Sequence, residues 1–119
     1  GKPFDIKHRC YHFSKDIISI ISEAQIEKIH FSIFDQLLGE DATLIGANVV
    51  EGKSGSSRKD FKNFYTIALK SANETKYWIC LIRNTGLSKV DKEKLDSLLK
   101  EADEISKIIA AIIIINLNK

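Results

Sequence analysis

The stretch LIGANVVEGKSGSSRKDF, residues 44–61, contains the end of one predicted helix and the capped start of the next. Gly52 is predicted to end the earlier helix. Many helices are followed by a residue in the left-handed conformation, and glycine adopts that conformation with the smallest energetic penalty. Residues 53–56 form a short basic turn of glycine and serine. Ser57 stands three residues before Asp60, a spacing that predicts an N-cap and an acid near the positive end of the next helix. The stretch therefore predicts a tight helical hairpin.

Apolar residues before this stretch recur at helical spacing. In the first helix the stripe is Ile6, Cys10, Phe13, Ile17, Ile20 and Ala24. After a polar link at residues 22–25, the second helix carries two stripes, Ile26, Ile29, Ile33, Leu37 and Leu44, and Phe34, Leu38, Ala42, Ile45 and Val49. Residues three and four positions apart share one face of an α-helix, so each stripe predicts a buried face. Gly39-Glu40-Asp41 interrupts both stripes and predicts a local kink or a polar contact.

Two further helices follow the hairpin turn. The third helix has a seam with small residues in its middle: Phe61, Tyr65, Ala68, Ala72, Thr75, Ile79 and Ile82. Asn84-Thr85-Gly86 is predicted to end it, and Ser88 or Asp91 to cap the fourth helix. The fourth seam is a heptad pattern of Leu95, Leu98, Ala102, Ile105, Ile109 and Ile112. These patterns predict an all-α, antiparallel up-down-up-down four-helix bundle, with one domain spanning residues 1–119.

The C-terminal helix is apolar on nearly every side. Four consecutive isoleucines favour a strand locally, but the heptad pattern continues through them. The seam uses Ile105, Ile109 and Ile112, and the remaining isoleucines are Ile108, Ile113, Ile114 and Ile115. A single bundle cannot cover every side of one helix, so the remaining isoleucines predict an interface with further copies of the chain.

Charge is distributed unevenly along a chain whose formal net charge is +2. Residues 23–52 contain one Lys or Arg against six Asp or Glu, whereas residues 53–90 contain eight against two. The candidate phosphate-binding residues are Lys53, Arg58, Lys59, Lys62 and Lys70, and Lys76 and Arg83 also lie off the third seam. Such a basic edge could hold the phosphates of RNA or DNA. An equally weighted alternative is that the basic third helix complements the acidic second helix across their hairpin.

No catalytic or cofactor motif supports an enzyme. The GKSGSS segment lacks the spacing of a P-loop, and one E-x-x-H spacing, Glu27 to His30, is present where a di-metal bundle needs two. His8 and His12 are four residues apart on the first helix and could hold a metal ion on its surface. Because no third ligand is apparent, we predict no metal site. We therefore expect a protein that is not an enzyme and has no cofactor.

The two cysteines and the hydropathy pattern indicate a cytoplasmic protein. Cys10 and Cys80 lie among aliphatic neighbours, and two buried free thiols suit a reducing compartment. The longest apolar run, residues 108–115, is shorter than the roughly 20 residues that cross a bilayer. We expect no membrane partner.

Three polar residues, Asn48, Glu51 and Glu74, lie on or beside the apolar stripes. We predict that they cap, cross-link or register the helices through buried hydrogen bonds, because buried polar groups in bundles usually specify packing. The alternative is that they form a polar pocket for a ligand.

Three segments carry a family resemblance: IGANVVEG at 45–52, ALKSANETKYW at 68–78 and TGLS at 85–88. Together they resemble the four-helix-bundle family of 23S rRNA intervening-sequence proteins and the related accessory variability determinants of diversity-generating retroelements. The resemblance implies a small bundle that assembles as a homopentamer, associates with nucleic acid and has no enzymatic activity. The resemblance to the accessory proteins also implies that a reverse transcriptase is a partner. Many relatives carry arginine just upstream of the IGAN segment, where this chain has Gly39-Glu40-Asp41.

Two functions follow from these expectations. The leading one is an oligomeric bundle that binds RNA or DNA through its basic third-helix edge. The alternative is a structural or protein-interaction module, such as an accessory partner of a reverse transcriptase, without nucleic-acid affinity of its own.

Overall fold

The computed structural model describes residues 5–23, 34–54, 57–86 and 89–117. Within them the chain forms four α-helices: α1 (Ile6–Glu23), α2 (Glu40–Ser54), α3 (Arg58–Thr85) and α4 (Lys92–Leu117). A π-helical turn at Asp35–Gly39 leads into α2. These four ranges contain no β-strand, and the prediction of an all-α fold is confirmed. Ala24, Ile26, Ile29 and Ile33 of the predicted stripes lie outside the described residues.

The four helices pack as an antiparallel bundle. Two pairs of neighbouring residues for each pair of adjacent helices fix the directions. They are Cys10–Gly46 and Ser14–Ala42 for α1–α2, Asp41–Trp78 and Gly52–Tyr65 for α2–α3, Lys76–Asp103 and Arg83–Asp96 for α3–α4, and Arg9–Glu104 and Ile20–Leu98 for α4–α1. The predicted up-down-up-down topology is therefore confirmed. The bundle measures 48 × 25 × 22 Å, so its length follows that of the longest helix, α3.

The predicted seams form most of the core. The buried members are Ile6, Cys10, Phe13, Ile17, Ile20, Phe34, Leu38, Ala42, Ile45, Val49, Tyr65, Ala68, Ala72, Thr75, Ile79, Ile82, Leu95, Leu98, Ala102, Ile105 and Ile109. Phe61 and Ile112 are partly buried at the edge of this core. Leu44 is 37% exposed, so its assignment to a buried stripe is wrong. The core face of α2 follows Ala42, Ile45 and Val49, and a residue directly before Ile45 points away from that face.

The interruption predicted at Gly39-Glu40-Asp41 is present as two features. The turn over Asp35–Gly39 is π-helical, a widened turn that changes the rotation of the helix around its axis. Directly after it, the indole Nε1 of Trp78 donates a hydrogen bond of 2.8 Å to Asp41 Oδ2. This contact ties the start of α2 to the C-terminal third of α3, so the polar contact predicted for this segment is confirmed.

Gly52 does not end the second helix, because α2 continues to Ser54. The residue is buried, and a Cβ atom at this position would lie 2.7 Å from Cδ1 and 2.8 Å from Cε1 of Tyr65. Gly52 therefore serves close packing between α2 and α3, and the prediction that it is a helix stop is wrong. Gly86 does have that role: its φ of 66° is left-handed, and α3 ends at Thr85 as predicted.

Tyr65 places a phenol in the centre of the bundle. The residue is fully buried, its ring stacks on Phe61 with 4.2 Å between centroids, and its hydroxyl has no hydrogen-bond partner among the described residues. Burial, which is the larger cause, and the nearby Cys10 thiol together raise the pKa of this hydroxyl to about 12. The tyrosine is therefore held by its ring, while its hydroxyl is desolvated without compensation.

Replacing Tyr65 by phenylalanine is expected to leave the free energy of unfolding unchanged or to raise it by about 1 kcal/mol, because the desolvated hydroxyl is removed and the stacked ring stays. Urea denaturation followed by circular dichroism measures this difference. A loss of more than about 1 kcal/mol would show that the hydroxyl has a stabilising partner in solution, such as a buried water.

Candidate nucleic-acid interface

Four of the five predicted phosphate-binding residues lie at one end of the bundle. Lys53 is in the last turn of α2, and Arg58, Lys59 and Lys62 are in the first turns of α3. All four side chains are exposed. We call these four residues the basic end. Three of them share one helical face, because positions 58 and 62, and 59 and 62, are four and three residues apart.

Ser57 fixes the start of α3 as predicted. Its backbone is extended, with φ −130° and ψ 157°, and its hydroxyl accepts a hydrogen bond of 3.0 Å from the Asp60 N–H. The cap holds the first turn in place, and the helix contributes partial positive charge at this end. The backbone that carries Arg58 and Lys59 is therefore ordered before any ligand binds.

A cleft of about 280 Å³ lies between the first turns of α3 and the end of α4. Its lining combines a cationic rim of Arg58, Lys59 and Lys62 with Phe61, Ile113 and Asn116. Asn116 donates its side-chain N–H to the Ile112 carbonyl at 2.8 Å, which keeps the amide folded against α4. The described lining residues include no carboxylate, imidazole or thiol. This arrangement can hold an anion over an apolar floor.

Lys70 is not part of the basic end. It lies eight residues beyond Lys62, roughly 12 Å along the helix. Its groove, of about 500 Å³, is lined by Thr66, Leu69, Lys70, Asn73, Glu74, Tyr77 and Trp78. A hydrogen bond with Asp41 raises the pKa of the Glu74 carboxyl in this groove, while Lys70 acts in the opposite direction. Because acids and a base meet there, the groove is a poorer place for phosphate than the basic end.

Two other cations of α3 pair with α4. Lys76 Nζ lies 3.3 Å from Asp103 and 3.1 Å from Ser106 Oγ, and Arg83 lies 2.9 Å from Asp96. The alternative in which the basic third helix complements the acidic second helix is therefore wrong for these two residues. Their charge stabilises the α3–α4 contact and does not add to the basic end.

The three polar residues near the apolar stripes are not buried. Glu51 and Glu74 are exposed, and Asn48 is half-buried and donates its side-chain N–H to the Leu44 carbonyl of its own helix at 2.8 Å. The Glu74 carboxyl does form a hydrogen bond with Asp41 of α2, but at an exposed position. The prediction of buried hydrogen bonds is wrong for all three residues. They lie beside the stripes, where the sequence spacing alone does not separate a buried position from the rim.

The four isoleucines assigned to an interface divide into two pairs. Ile108 and Ile113 are partly buried and pack against the core of their own bundle. Ile114 and Ile115 are 59% and 57% exposed. Ile113 also lines the cleft beside the basic end, so the exposed pair and the cationic rim occupy the same end of the bundle.

The two cysteines are free thiols, Cys10 buried and Cys80 half-buried. Burial raises the pKa of the Cys10 thiol to about 12, which makes it unreactive at neutral pH. The described residues contain no group of three or more histidines, cysteines and acids that could hold a metal ion. Glu27 and His30 lie outside the described ranges. Among the described helices, none has the length and apolar character that a bilayer crossing requires.

Phe61 and Asn116 complete the cleft and were not predicted as site residues. Phe61 was assigned to the core seam, and Asn116 follows the isoleucine block without any motif around it. Their shared location depends on how far α4 extends past the start of α3. The change from four consecutive isoleucines to a polar residue was the one sequence feature that pointed to Asn116.

Comparison with known proteins places this bundle in a family. The family model described as 23S rRNA-intervening sequence protein matches residues 2–111. A crystal structure of a protein of unknown function from the S23 ribosomal protein family of Bacteroides thetaiotaomicron is also similar. The two chains are 30% identical with a TM-score of 0.80, and the match covers 91% of this chain and 94% of the other. The comparison with curated proteins gives no match. By sequence and by fold, the chain belongs to the 23S rRNA-intervening sequence protein family.

Proposed function

We propose that this protein is a non-enzymatic, oligomeric four-helix bundle that binds RNA or DNA through phosphate contacts at its basic end. The observation that carries the proposal is the cleft in which Arg58, Lys59 and Lys62 surround an apolar floor at the capped start of α3. Cations on one helical face, together with the positive end of the helix dipole, form an electrostatic site for a polyanion. The family name refers to sequences that intervene in 23S rRNA, so RNA is the first ligand to test.

The apolar floor adds a second type of contact. Phe61 and Ile113 lie below the cationic rim, and the Phe61 ring is held by its stacking on Tyr65. A single strand presents both phosphates and unstacked bases, and apolar or aromatic side chains stabilise the bases while cations hold the backbone. We therefore expect single-stranded nucleic acid to bind more tightly than a duplex of the same length.

Reversing the charge of Arg58, Lys59 and Lys62 to glutamate is expected to abolish nucleic-acid binding. For the wild-type protein, log K against log salt concentration should fall with a slope of about −0.7 for each phosphate contact on single strands. Fluorescence anisotropy of labelled RNA and DNA, over a salt series that starts at low ionic strength, measures both effects. Circular dichroism should remain unchanged, because the three side chains are exposed.

A matched control replaces Lys89, Lys92 and Lys100 by glutamate. These lysines are exposed, and their replacement changes the net charge by the same amount at other surface positions. Equal loss of binding in both triple variants would show a non-specific effect of net charge. Binding that survives the reversal at the basic end, or no binding by wild-type protein at low salt, would refute the proposal.

The second candidate is a protein-interaction module without nucleic-acid affinity, such as an accessory partner of a reverse transcriptase. Exposed apolar side chains on α3 favour it, since Ile67, Tyr77 and Leu81 are 46%, 62% and 42% exposed. Ile67 lies three residues before Lys70, Tyr77 three residues after Glu74, and Leu81 four residues after Tyr77, so the three side chains follow one face of the helix. Absence of nucleic-acid binding together with protein binding that is lost in Tyr77→Lys would establish this candidate.

A further inference from the structure

A pair of histidines on the outer face of α1 has a geometry that neither the bundle nor the proposed function uses. His8 and His12 are exposed, and their Nε2 atoms lie 2.9 Å apart. The ring centroids are separated by 4.3 Å at an interplanar angle of 70°. The two Nε2 atoms are therefore in direct contact on the exposed surface of the helix.

This separation is the one that two ligands of a single metal ion require. Imidazole nitrogens lie about 2.0–2.1 Å from a bound Zn²⁺, so two of them are about 2.9 Å apart at a right angle and about 3.4 Å apart at a tetrahedral angle. In the absence of metal, the same distance fits a hydrogen bond in which one ring donates its N–H to the other. A metal ion would take the place of this proton once both Nε2 lone pairs are turned towards it.

The surroundings hold the pair in this arrangement. The backbone N–H of His8 donates to Asp5 Oδ1 at 3.3 Å, which caps the first turn of α1. The ring of Tyr11 packs edge-on against His12, with 5.6 Å between centroids. The helix fixes the four-residue spacing, and these contacts restrict the first turn and one of the two rings. Less conformational entropy is therefore lost when a metal binds.

We infer that His8 and His12 form a bidentate surface site for a divalent transition-metal ion of the Zn²⁺, Ni²⁺ and Cu²⁺ class. Imidazole nitrogen suits these ions, whereas Mg²⁺ and Ca²⁺ prefer oxygen ligands. The sequence-based expectation of no metal site assumed that a third protein ligand is needed. Two protein ligands leave the other coordination positions to water or to an external donor, as in exchangeable sites and unlike closed structural ones.

The test is calorimetric titration of the untagged full chain with NiCl₂ and ZnCl₂. We compare the wild type with His12→Ala and with His12→Ala/Lys15→His. The double variant keeps the number of histidines but places the second one seven residues from His8, roughly 10 Å along the helix, where both cannot bind one ion. His30 is retained in every variant. We expect the affinity for Ni²⁺ to fall at least tenfold in both variants, and MgCl₂ to give no binding to any of the three proteins.

A second measurement does not depend on calorimetry. A ligand that binds the folded state alone raises the melting temperature, and the helix is what brings the two rings together. Zn²⁺ should therefore raise the melting temperature of the wild type and leave that of both variants unchanged. Equal affinity in the wild type and the double variant would overturn the inference. So would the absence of binding to the wild type at millimolar metal.

Discussion

Replacing Gly52 by alanine is expected to lower the free energy of unfolding by about 2 kcal/mol. Within a helix this change normally stabilises by about 1 kcal/mol, because alanine has the higher helix propensity. Here the new Cβ would lie 2.7 Å from the Tyr65 ring, closer than side chains tolerate. That ring is fully buried and stacked on Phe61, so it cannot move without disturbing the core. Overpacking typically costs about 1–3 kcal/mol, and we place this case at the upper end. The helix-propensity gain of about 1 kcal/mol offsets part of this cost, which leaves a net loss of about 2 kcal/mol.

Gly46 provides the matched control for this substitution. It also lies in α2, and a Cβ there would approach Cys10 Cβ at 3.3 Å, a tight contact that a small shift relieves. Gly46→Ala should therefore stay within about 1 kcal/mol of the wild type, because the propensity gain offsets the crowding. Urea denaturation of both variants at one protein concentration gives the comparison, and for a chain of this size about 2 kcal/mol corresponds to roughly 8 °C in melting temperature.

A double variant tests the cause. Tyr65→Leu removes the ring atoms that the new Cβ would meet, so Gly52→Ala should cost less in the Tyr65→Leu background than in the wild type. Additive effects would show that Gly52 is needed for a reason other than the ring. A Gly52→Ala variant as stable as the wild type would contradict the close packing between α2 and α3.

The fold was predictable because its information is local and periodic. The spacing of Ile17 and Ile20, or of Ala68 and Ala72, repeats every three or four residues, and each such pair is buried. The N-cap at Ser57 and the left-handed stop at Gly86 were predictable for the same reason, since each depends on a few neighbouring residues. Local patterns of this kind agree with one another at most positions of the described seams, as expected for a sequence with one native packing.

Other features depend on what lies opposite a residue, which one helix cannot reveal. A glycine near a helix end has the sequence pattern of a stop, and Gly52 differs from Gly86 because Tyr65 of the next helix lies against it. Glu51 and Glu74 lie next to apolar stripes, yet both are exposed. Their position depends on the rotation of each helix, and the π-helical turn before α2 changes that rotation.

The candidate site was likewise predictable where it depends on neighbouring residues, and not where it depends on packing between helices. Arg58, Lys59 and Lys62 were predicted together because they are neighbours on one helix turn, and the structure keeps them together. Lys70 shared their charge but lies on another part of α3, beside Glu74. Asn116 reaches the cleft because α4 is long enough to extend to the first turns of α3. The two segments are more than fifty residues apart in the chain, and no sequence motif indicates that they meet.

Lysine substitutions at Ile114 and Ile115 are expected to give a monomer of unchanged helicity in place of the proposed oligomer. Their side chains are 59% and 57% exposed, and full burial of an isoleucine stabilises by roughly 1.5–3 kcal/mol. Two adjacent isoleucines in water forfeit much of that energy in each copy, and closed symmetric assembly recovers it. Ile108 and Ile113 are unsuitable for this test, because they pack against their own core and their replacement would also destabilise the subunit.

Light scattering coupled to gel filtration distinguishes the outcomes at micromolar concentration. We expect the wild type to run as a ring, with five copies as the specific prediction, and Ile114→Lys/Ile115→Lys to run at the mass of one chain. Ile18→Lys/Val50→Lys is the matched control, since it adds the same charge at residues of α1 and α2 that are 53% and 50% exposed. If the control also dissociates, the interface extends beyond α4. A monomeric wild type would show that the interface does not exist.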